Sequence, residues 1–175
     1  MGPISSISNG VPVKNAGLVI AGNYVPMLFE RFGITHDRAF KSVKAQERGV
    51  QFLQYVATGS TVANDNLLAL NKVLCGLPPI HKLTGNVEIT KDQQSFIDGL
   101  IEATISQWQA IGNSSVNGFK GNWLIRDGML TRFDERWELK VETRAYDVLL
   151  HTSPFSFSII KYPWMEKALH VNWPY

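Results

Sequence analysis

Between residues 123 and 173 the chain alternates apolar and polar residues in four short segments: Trp123-Leu124-Ile125-Arg126-Asp127-Gly128, Trp137-Glu138-Leu139-Lys140-Val141-Glu142, Ile159-Ile160-Lys161-Tyr162-Pro163-Trp164-Met165 and Leu169-His170-Val171-Asn172-Trp173. Alternation with a period of two residues is typical of strands that bury one face. In the second segment Trp137, Leu139 and Val141 would face a core, while the charged residues between them face solvent. We therefore predict an antiparallel β-sheet within residues 113–175.

Turn signals separate these strands. Asp127-Gly128 predicts a hairpin, because this pair tolerates the positive φ angles of a type I′ turn, and Asp134-Glu135 marks a second turn. We interpret residues 144–150 as a strand rather than a short helical turn. Further strands are predicted over residues 155–162 and 168–173.

The first two thirds of the chain show helical periodicity. Pro26 predicts a break near Tyr24, and the apolar residues before it suit a short strand or a buried turn. Helices are predicted over residues 26–32, 38–58 (capped by Asp37 and closed by Gly59), 64–74 (before Gly76) and 90–111. The last begins with Thr90-Lys91-Asp92-Gln93, a capping box in which Thr90 and Gln93 satisfy free backbone donors.

These patterns predict an α+β fold in one compact domain. Residues 15–112 form a mainly helical part that packs on the antiparallel sheet of residues 113–175. Residues 1–14 mix Ser, Gly, Asn and Pro, and are predicted to be a flexible N-terminal arm. A chain of 175 residues buries roughly 70 % of its unfolded surface, so it needs neither a metal nor a disulfide to fold.

The composition limits the possible partners. Charged residues make up 18 % of the chain, below the usual value of about 25 %. Either subunit contacts or a well-filled monomer core would account for this. The net charge is +2, with 17 basic residues spread among 15 acidic ones. Because nucleic-acid binders cluster their basic residues on one face, no nucleic-acid partner is expected.

Cysteine usage and hydropathy bear on location. Cys75 is the sole cysteine, so no internal disulfide is possible, which suits assembly in the cytosol. No stretch approaches 18 apolar residues, and the N-terminus lacks a signal-peptide pattern. We therefore expect no direct membrane insertion.

Catalytic and metal-binding motifs are missing from the sequence. The four histidines are widely spaced, and none of the common zinc, phosphate-loop or nucleophile motifs occurs. Cys75 follows an apolar helix end, which suits a buried thiol and is the wrong end to stabilise a thiolate. The acidic residues of the C-terminal part fall at predicted turns (Asp127, Asp134, Glu135) or on a solvated strand face (Glu138, Glu142). We therefore predict that the protein is not an enzyme and binds no cofactor.

Aromatic residues beside prolines are the candidate binding residues. Tyr162, Trp164, Met165 and Trp173 lie where predicted strands end. Trp, Tyr and Met are enriched at protein interfaces, but the same residues also fill cores. We predict that they contribute to a subunit contact, with the core as the competing interpretation.

Read together, several segments resemble one known family. They are Asn15-Ala16-Gly17-Leu18-Val19, Gln51-Phe52-Leu53-Gln54-Tyr55 with Thr58-Gly59, Leu70-Asn71-Lys72-Val73-Leu74-Cys75-Gly76-Leu77-Pro78, Trp108, Asn113-Ser114-Ser115-Val116, Gly118-Phe119, Arg126-Asp127-Gly128-Met129-Leu130, Tyr146-Asp147-Val148-Leu149-Leu150 and the segments that start at Trp137, Ile159 and Leu169. In this order they resemble the C-terminal region of contractile injection system tape measure proteins, which belong to phage-tail-like particles. The resemblance covers residues 15–173.

The resemblance implies a structural protein built into such a particle. Its inner tube is made of six-subunit rings, and a homohexamer fits that symmetry most simply. Family members usually carry this region at the end of a much longer chain. As a single helix the 175 residues would reach only about 260 Å, and the expected compact fold is about 30 to 40 Å across. We therefore expect an end-fitting module rather than the ruler.

The preferred placement is an adaptor ring at the end of the inner tube or sheath, beneath the terminal cap. Its partners would be the tube, sheath and cap proteins. The particle would be assembled in the bacterial cytoplasm and then released or anchored. One alternative is a tape-measure terminal domain that acts in tube initiation at the baseplate, and another is a hydrolase carried by the particle.

Overall fold

The structure is a computed structural model that describes residues 10–174. Its elements, in chain order, are β1 (Val11–Val13), a 3₁₀ helix (Ala16–Tyr24), α1 (Val25–Arg31), β2 (Thr35–His36), β3 (Ala39–Phe40), α2 (Val43–Thr58), a 3₁₀ turn (Asp65–Leu67), α3 (Ala69–Leu74), α4 (Lys91–Gln107), a 3₁₀ turn (Gln109–Ile111), α5 (Val116–Phe119), a π-helical turn (Lys120–Leu124), β4 (Gly128–Arg132), β5 (Arg136–Val141), a 3₁₀ helix (Ala145–Thr152), β6 (Ile159–Ile160) and β7 (Ala168–Asn172). Helices dominate the first part and a five-stranded sheet the last. The predicted α+β class is confirmed.

The five-stranded sheet has the order β1-β4-β5-β7-β6. Strands β5 and β7 run parallel, with Trp137 opposite Leu169, whereas the other neighbouring pairs are antiparallel. The sheet is therefore mixed, and not wholly antiparallel as predicted. Parallel neighbours need a long crossover, and residues 142–167 supply one that carries a 3₁₀ helix and β6.

Part of the predicted N-terminal arm belongs to the sheet. Val11 and Val13 of β1 lie opposite Leu130 and Gly128 of β4, and the Val13 side chain is buried. Burial and backbone pairing together fix this segment at the sheet edge. The rest of the predicted arm, residues 1–9, lies outside the described residues.

Helix α2 starts later than predicted. Asp37 and Arg38 have φ angles of 52° and 66°, which places them in the turn of the small β2–β3 hairpin rather than in a helix. Ser42 is the actual N-cap, and its hydroxyl accepts a hydrogen bond from the Ala45 N–H at 3.0 Å. The predicted end is confirmed: Gly59 closes the helix with a φ of 77°, a left-handed conformation that costs glycine little.

The other helix predictions hold with changed bounds. The capping box at Thr90 and Gln93 is present and starts α4. The apolar segment before α1 is a buried 3₁₀ helix, which fits the predicted buried turn better than a strand. The predicted third helix is divided into a 3₁₀ turn and α3.

Two elements of the C-terminal part differ from the prediction. Asp127-Gly128 leads into β4 instead of turning a hairpin, because Gly128 is needed for close packing: a Cβ there would lie 2.8 Å from the Ala16 Cβ and 2.9 Å from the Lys140 carbonyl oxygen. The hairpin between β4 and β5 turns at Asp134-Glu135, as predicted. The region predicted as a strand over residues 144–150 is the 3₁₀ helix Ala145–Thr152.

One hydrophobic core lies between the helices and the inner face of the sheet. On that face Leu130, Leu139 and Leu169 are fully buried. On the helical side Trp108 and Trp123 pack with ring centroids 4.6 Å apart. Because the helices cover one face of the sheet, the opposite face is left open.

Candidate interaction surface

The outer face of the sheet is a regular surface that the helices leave uncovered. Its residues form two rows across the strands: Pro12, Met129, Lys140 and Asn172 in one row, and Thr131, Glu138, His170 and Ile159 in the next. Met129 is 42 % exposed and Ile159 is 61 % exposed. This surface therefore has an apolar group near each end and polar or charged residues between them.

A buried arginine holds the elements that border this sheet. Arg126 is fully buried, and all five of its N–H groups donate hydrogen bonds. Two go to the Asp147 carboxylate at 2.8 and 2.6 Å, two to the Asn122 carbonyl oxygen and one to the Glu142 carbonyl oxygen. The guanidinium also lies over the ring of Trp173 at 5.1 Å.

Asp147 connects this arginine to the end of the chain. Besides Arg126, its carboxylate accepts hydrogen bonds from the Arg144 backbone N–H and the Trp173 indole N–H, both at 2.9 Å. Burial alone would raise the pKa of Asp147, but these hydrogen bonds outweigh it and hold the pKa below its usual value. The pair thus ties the π-helical turn, the 3₁₀ helix Ala145–Thr152 and the C-terminal strand together.

Sequence reasoning missed this pair. Arg126 and Asp147 are separated by 21 residues and follow no periodic pattern. Both lie in segments that carry the family resemblance, which is the only signal that points to them.

The four predicted contact residues are used inside the fold. Tyr162, Met165 and Trp173 are buried, and Trp164 is half-buried. Their polar groups have internal partners: the Tyr162 hydroxyl donates to the Gly22 carbonyl oxygen, and the Trp164 indole N–H donates to the Leu74 carbonyl oxygen at 2.8 Å. A role for these four residues at a subunit contact stays a prediction, and the exposed residues of the sheet are better placed for one.

The candidate catalytic carboxylates do not converge. Asp127 pairs with Lys14 at 2.9 Å on the surface, and Glu138 lies 3.5 Å from Arg136. A cleft of about 280 Å³ near Trp137 has one acidic residue, Glu166, in its lining. A glycosidase needs two facing carboxylates, and none of these residues supplies such a pair.

The described residues 10–174 also contain no group of three or more His, Cys, Asp or Glu side chains that could hold a metal ion. Cys75 is buried, and loss of solvent raises the pKa of its thiol well above the usual value. In the part of the chain that the structure covers, no helix is both long and apolar enough to cross a bilayer.

A second polar cluster fastens the long loop between α3 and α4 to α2. The buried Glu47 accepts hydrogen bonds from Thr84 at 2.7 Å and lies 2.9 Å from the His81 ring. Gln51 donates to the Gly85 carbonyl oxygen and accepts from the Val87 N–H. The loop is therefore a fixed part of the domain surface.

These clusters predict that acid destabilises the fold. Asp65 also forms an ion pair with the buried Lys72. For Glu47, Asp65 and Asp147, burial alone would raise the pKa, but hydrogen bonds and nearby positive charges lower it below the usual value. A carboxylate with a lowered folded-state pKa stabilises the fold above its unfolded pKa, and this contribution is lost as the pH falls through the folded value. We expect a steady free energy of unfolding above about pH 6 and a decline below about pH 5. Urea titrations followed by circular dichroism at several pH values would measure it, and a free energy that rises towards pH 3 would contradict the prediction.

Comparison with known families identifies the chain. The family model for the contractile injection system tape measure protein matches residues 4–173. The chain belongs to this family. The contractile injection system tape measure family is structural, so its members are parts of a multiprotein particle. No curated protein and no solved structure matches the chain.

Proposed function

We propose that this tape measure family member is an adaptor ring at one end of the inner tube, beneath the terminal cap. The observation that carries the proposal is its compact fold. A ruler needs length, yet α4, the longest helix among residues 10–174, has 17 residues and spans about 26 Å. This part of the chain is suited to fit a tube end rather than to measure a tube.

A closed ring needs neighbouring copies that meet through unlike surfaces. The two sides of the domain, next to β1 and next to β6, are unlike, so copies can meet there through side chains without joining their sheet edges. Contacts between unlike surfaces generate rings when the rotation closes. A homohexamer would match the six-subunit rings of the tube that the family resemblance implies.

The outer face of the sheet is the surface that we assign to the tube, sheath or cap. Its central charges are of both signs, with Glu138 and Lys140 on neighbouring positions of β5. Such a mixed surface suits a protein partner rather than a phosphate backbone. We place assembly in the bacterial cytoplasm and propose no enzymatic activity.

Membership of the tape measure family leaves one alternative, in which the chain is a tape-measure terminal domain that acts in tube initiation at the baseplate. The same fold and the same sheet surface would serve that position. The two placements differ only in which end of the tube is occupied.

Native mass spectrometry of the purified protein, alone and mixed with tube rings, tests the adaptor proposal. We expect a complex of six 19.6-kDa chains that binds the rings.

Met129→Asp should weaken ring binding about tenfold or more, because it places a charge on the outer face of the sheet. The matched control is Met27→Asp, since Met27 is 47 % exposed but lies on α1, and Met129 is 42 % exposed. A monomer that does not bind tube rings would contradict the proposal.

A further inference from the structure

The two edges of the sheet differ in their ability to accept another strand. Two backbone hydrogen bonds join the ends of β4 and β5: the Glu142 N–H donates to the Asp127 carbonyl oxygen, and the Phe133 N–H donates to the Arg136 carbonyl oxygen, both at 2.9 Å. They show that every second residue of β4, counted from Asp127, directs its backbone N–H and C=O towards β5. The residues between them, Gly128 and Leu130, therefore direct their backbone N–H and C=O towards β1.

The same alternation sets the direction of the backbone groups in β1. Val11 and Val13 pair with β4, so the backbone of Pro12 faces the free edge. Proline has no N–H to donate, and proline on an edge strand is a common protection against unwanted pairing. The β1 edge is therefore blocked at its centre.

The β6 edge has no such block. The Val171 N–H donates to the Ser158 carbonyl oxygen at 2.8 Å, and Ile160 lies opposite Leu169. By the same alternation, the N–H and C=O of Ile159 point to the free edge. The Ile159 side chain is 61 % exposed, so no described residue covers this position.

The backbone N–H groups that lead into β6 also lack acceptors among residues 10–174. Among residues 10–174 no group accepts a hydrogen bond from the backbone N–H of Ser156, Phe157 or Ser158. The segment is nevertheless anchored, because the Phe157 ring packs 5.6 Å from Trp173 and the Phe155 ring 6.5 Å from Trp108. A fixed backbone with free donors loses little entropy when a strand is added.

The same segment carries no charge. Residues 152–160 contain only Thr, Ser, Pro, Phe and Ile, although charged side chains are the usual way to protect an edge. A charged side chain on an added strand would find no opposite charge within residues 152–160. The edge therefore favours an uncharged strand.

We propose that the β6 edge binds an extended, uncharged segment of another protein of the particle, which adds to the sheet as a sixth strand. This inference rests on the proposed function, since it names how the adaptor holds a neighbour. Main-chain hydrogen bonds would supply affinity, and apolar contact with Ile159 would supply selectivity.

A second copy of this chain fits the edge less well than another protein does. Its β1 would bring Pro12 to the junction, where one donor is missing. Its β6 would pair about a twofold axis, and such a contact ends at two copies instead of closing a larger ring.

The test compares edge variants in purified particles. Ile159→Pro removes the N–H that faces the free edge and spares the pairs of β6 with β7, and Ile159→Lys places a charge there. Both variants should keep the circular dichroism spectrum and melting temperature of the parent. We expect each to lower the amount of the protein in particles about tenfold or more, measured by quantitative immunoblotting. Val148→Lys is the matched control, because Val148 is 60 % exposed and lies on the 3₁₀ helix Ala145–Thr152, outside the sheet.

Hydrogen exchange gives an independent measurement. By the alternation described above, an added strand would cover the N–H of Ile159, whereas that of Ser158 lies on the β7 side. The Ile159 amide should exchange rapidly in the isolated protein and be protected about a hundredfold in the particle. Equal incorporation of both Ile159 variants, or an unprotected Ile159 amide in the particle, would overturn the inference. Protection that already appears on self-association of the isolated protein would also overturn it, because the occupant would then be a second copy. If the unaltered protein is missing from particles, the proposed function fails instead, so the two failures can be told apart.

Discussion

Replacing Asp147 by asparagine should lower the free energy of unfolding by about 3–5 kcal/mol, because it leaves the fully buried Arg126 without its counter-charge. The amide keeps the size of the carboxylate, so the loss would come from charge and hydrogen bonding rather than from a cavity. It also brings an NH₂ group among the donors of Arg126, Arg144 and Trp173, which need an acceptor. Urea denaturation followed by tryptophan fluorescence would measure the change.

Asp127→Asn is the matched control for this experiment. Asp127 makes an ion pair of similar length with Lys14, but more than half of each side chain is exposed. Pairs of this kind contribute about 0–1 kcal/mol. If the two variants lose equal stability, the Arg126–Asp147 pair does not hold the C-terminal part as we infer.

Among the glycines of residues 10–174, Gly17 is the one where an added methyl group should be most damaging. A Cβ at Gly17 would lie 1.7 Å from the Trp123 carbonyl oxygen and 2.7 Å from the Leu124 Cα. Both are backbone atoms, so relief requires the 3₁₀ helix Ala16–Tyr24 to move away from the π-helical turn. We expect a loss of more than about 3 kcal/mol, with poor recovery of folded protein.

Gly99→Ala adds the same methyl group but should stabilise the fold. Gly99 lies in the middle of α4, is exposed, and a Cβ there would meet no atom within 4 Å. Alanine at such a position should stabilise the fold by about 0.5–1 kcal/mol. Thermal melts of both variants, monitored by circular dichroism, would separate the two effects, and a Gly17→Ala protein as stable as the parent would refute the close approach.

Local signals predicted the elements that local chemistry determines. The capping box at Thr90, the helix end at Gly59 and the turn at Asp134-Glu135 each depend on a few neighbouring residues, and all three are present. The alternation in β5 also placed Leu139 and Val141 in the core.

Features that depend on distant residues escaped prediction. The parallel pairing of β5 with β7 is decided by the crossover between them, not by either strand. Asp127-Gly128 looks like a hairpin turn, but Gly128 is required by its approach to Ala16, a residue far away in sequence.

The candidate surface likewise depends on residues that are distant in the sequence. The aromatic–proline pairs predict contact residues at 162, 164, 165 and 173, but such a pattern does not separate rings that fill the core from side chains that meet a partner. Pro12 and Ile159 are unremarkable in the sequence. Their roles follow only from the hydrogen-bond pattern of the sheet, in which the backbone of Pro12 blocks the β1 edge and that of Ile159 leaves the β6 edge open.

Electron cryomicroscopy of particles purified with and without this protein is the most direct test of its place in the injection system. We predict a single ring of six copies at one end of the inner tube in complete particles. Without the protein, we expect particles that lack the cap or have tubes of uncontrolled length. Density for the protein along the tube lumen, or particles of normal cap and length without it, would show that the protein is not an adaptor at the tube end.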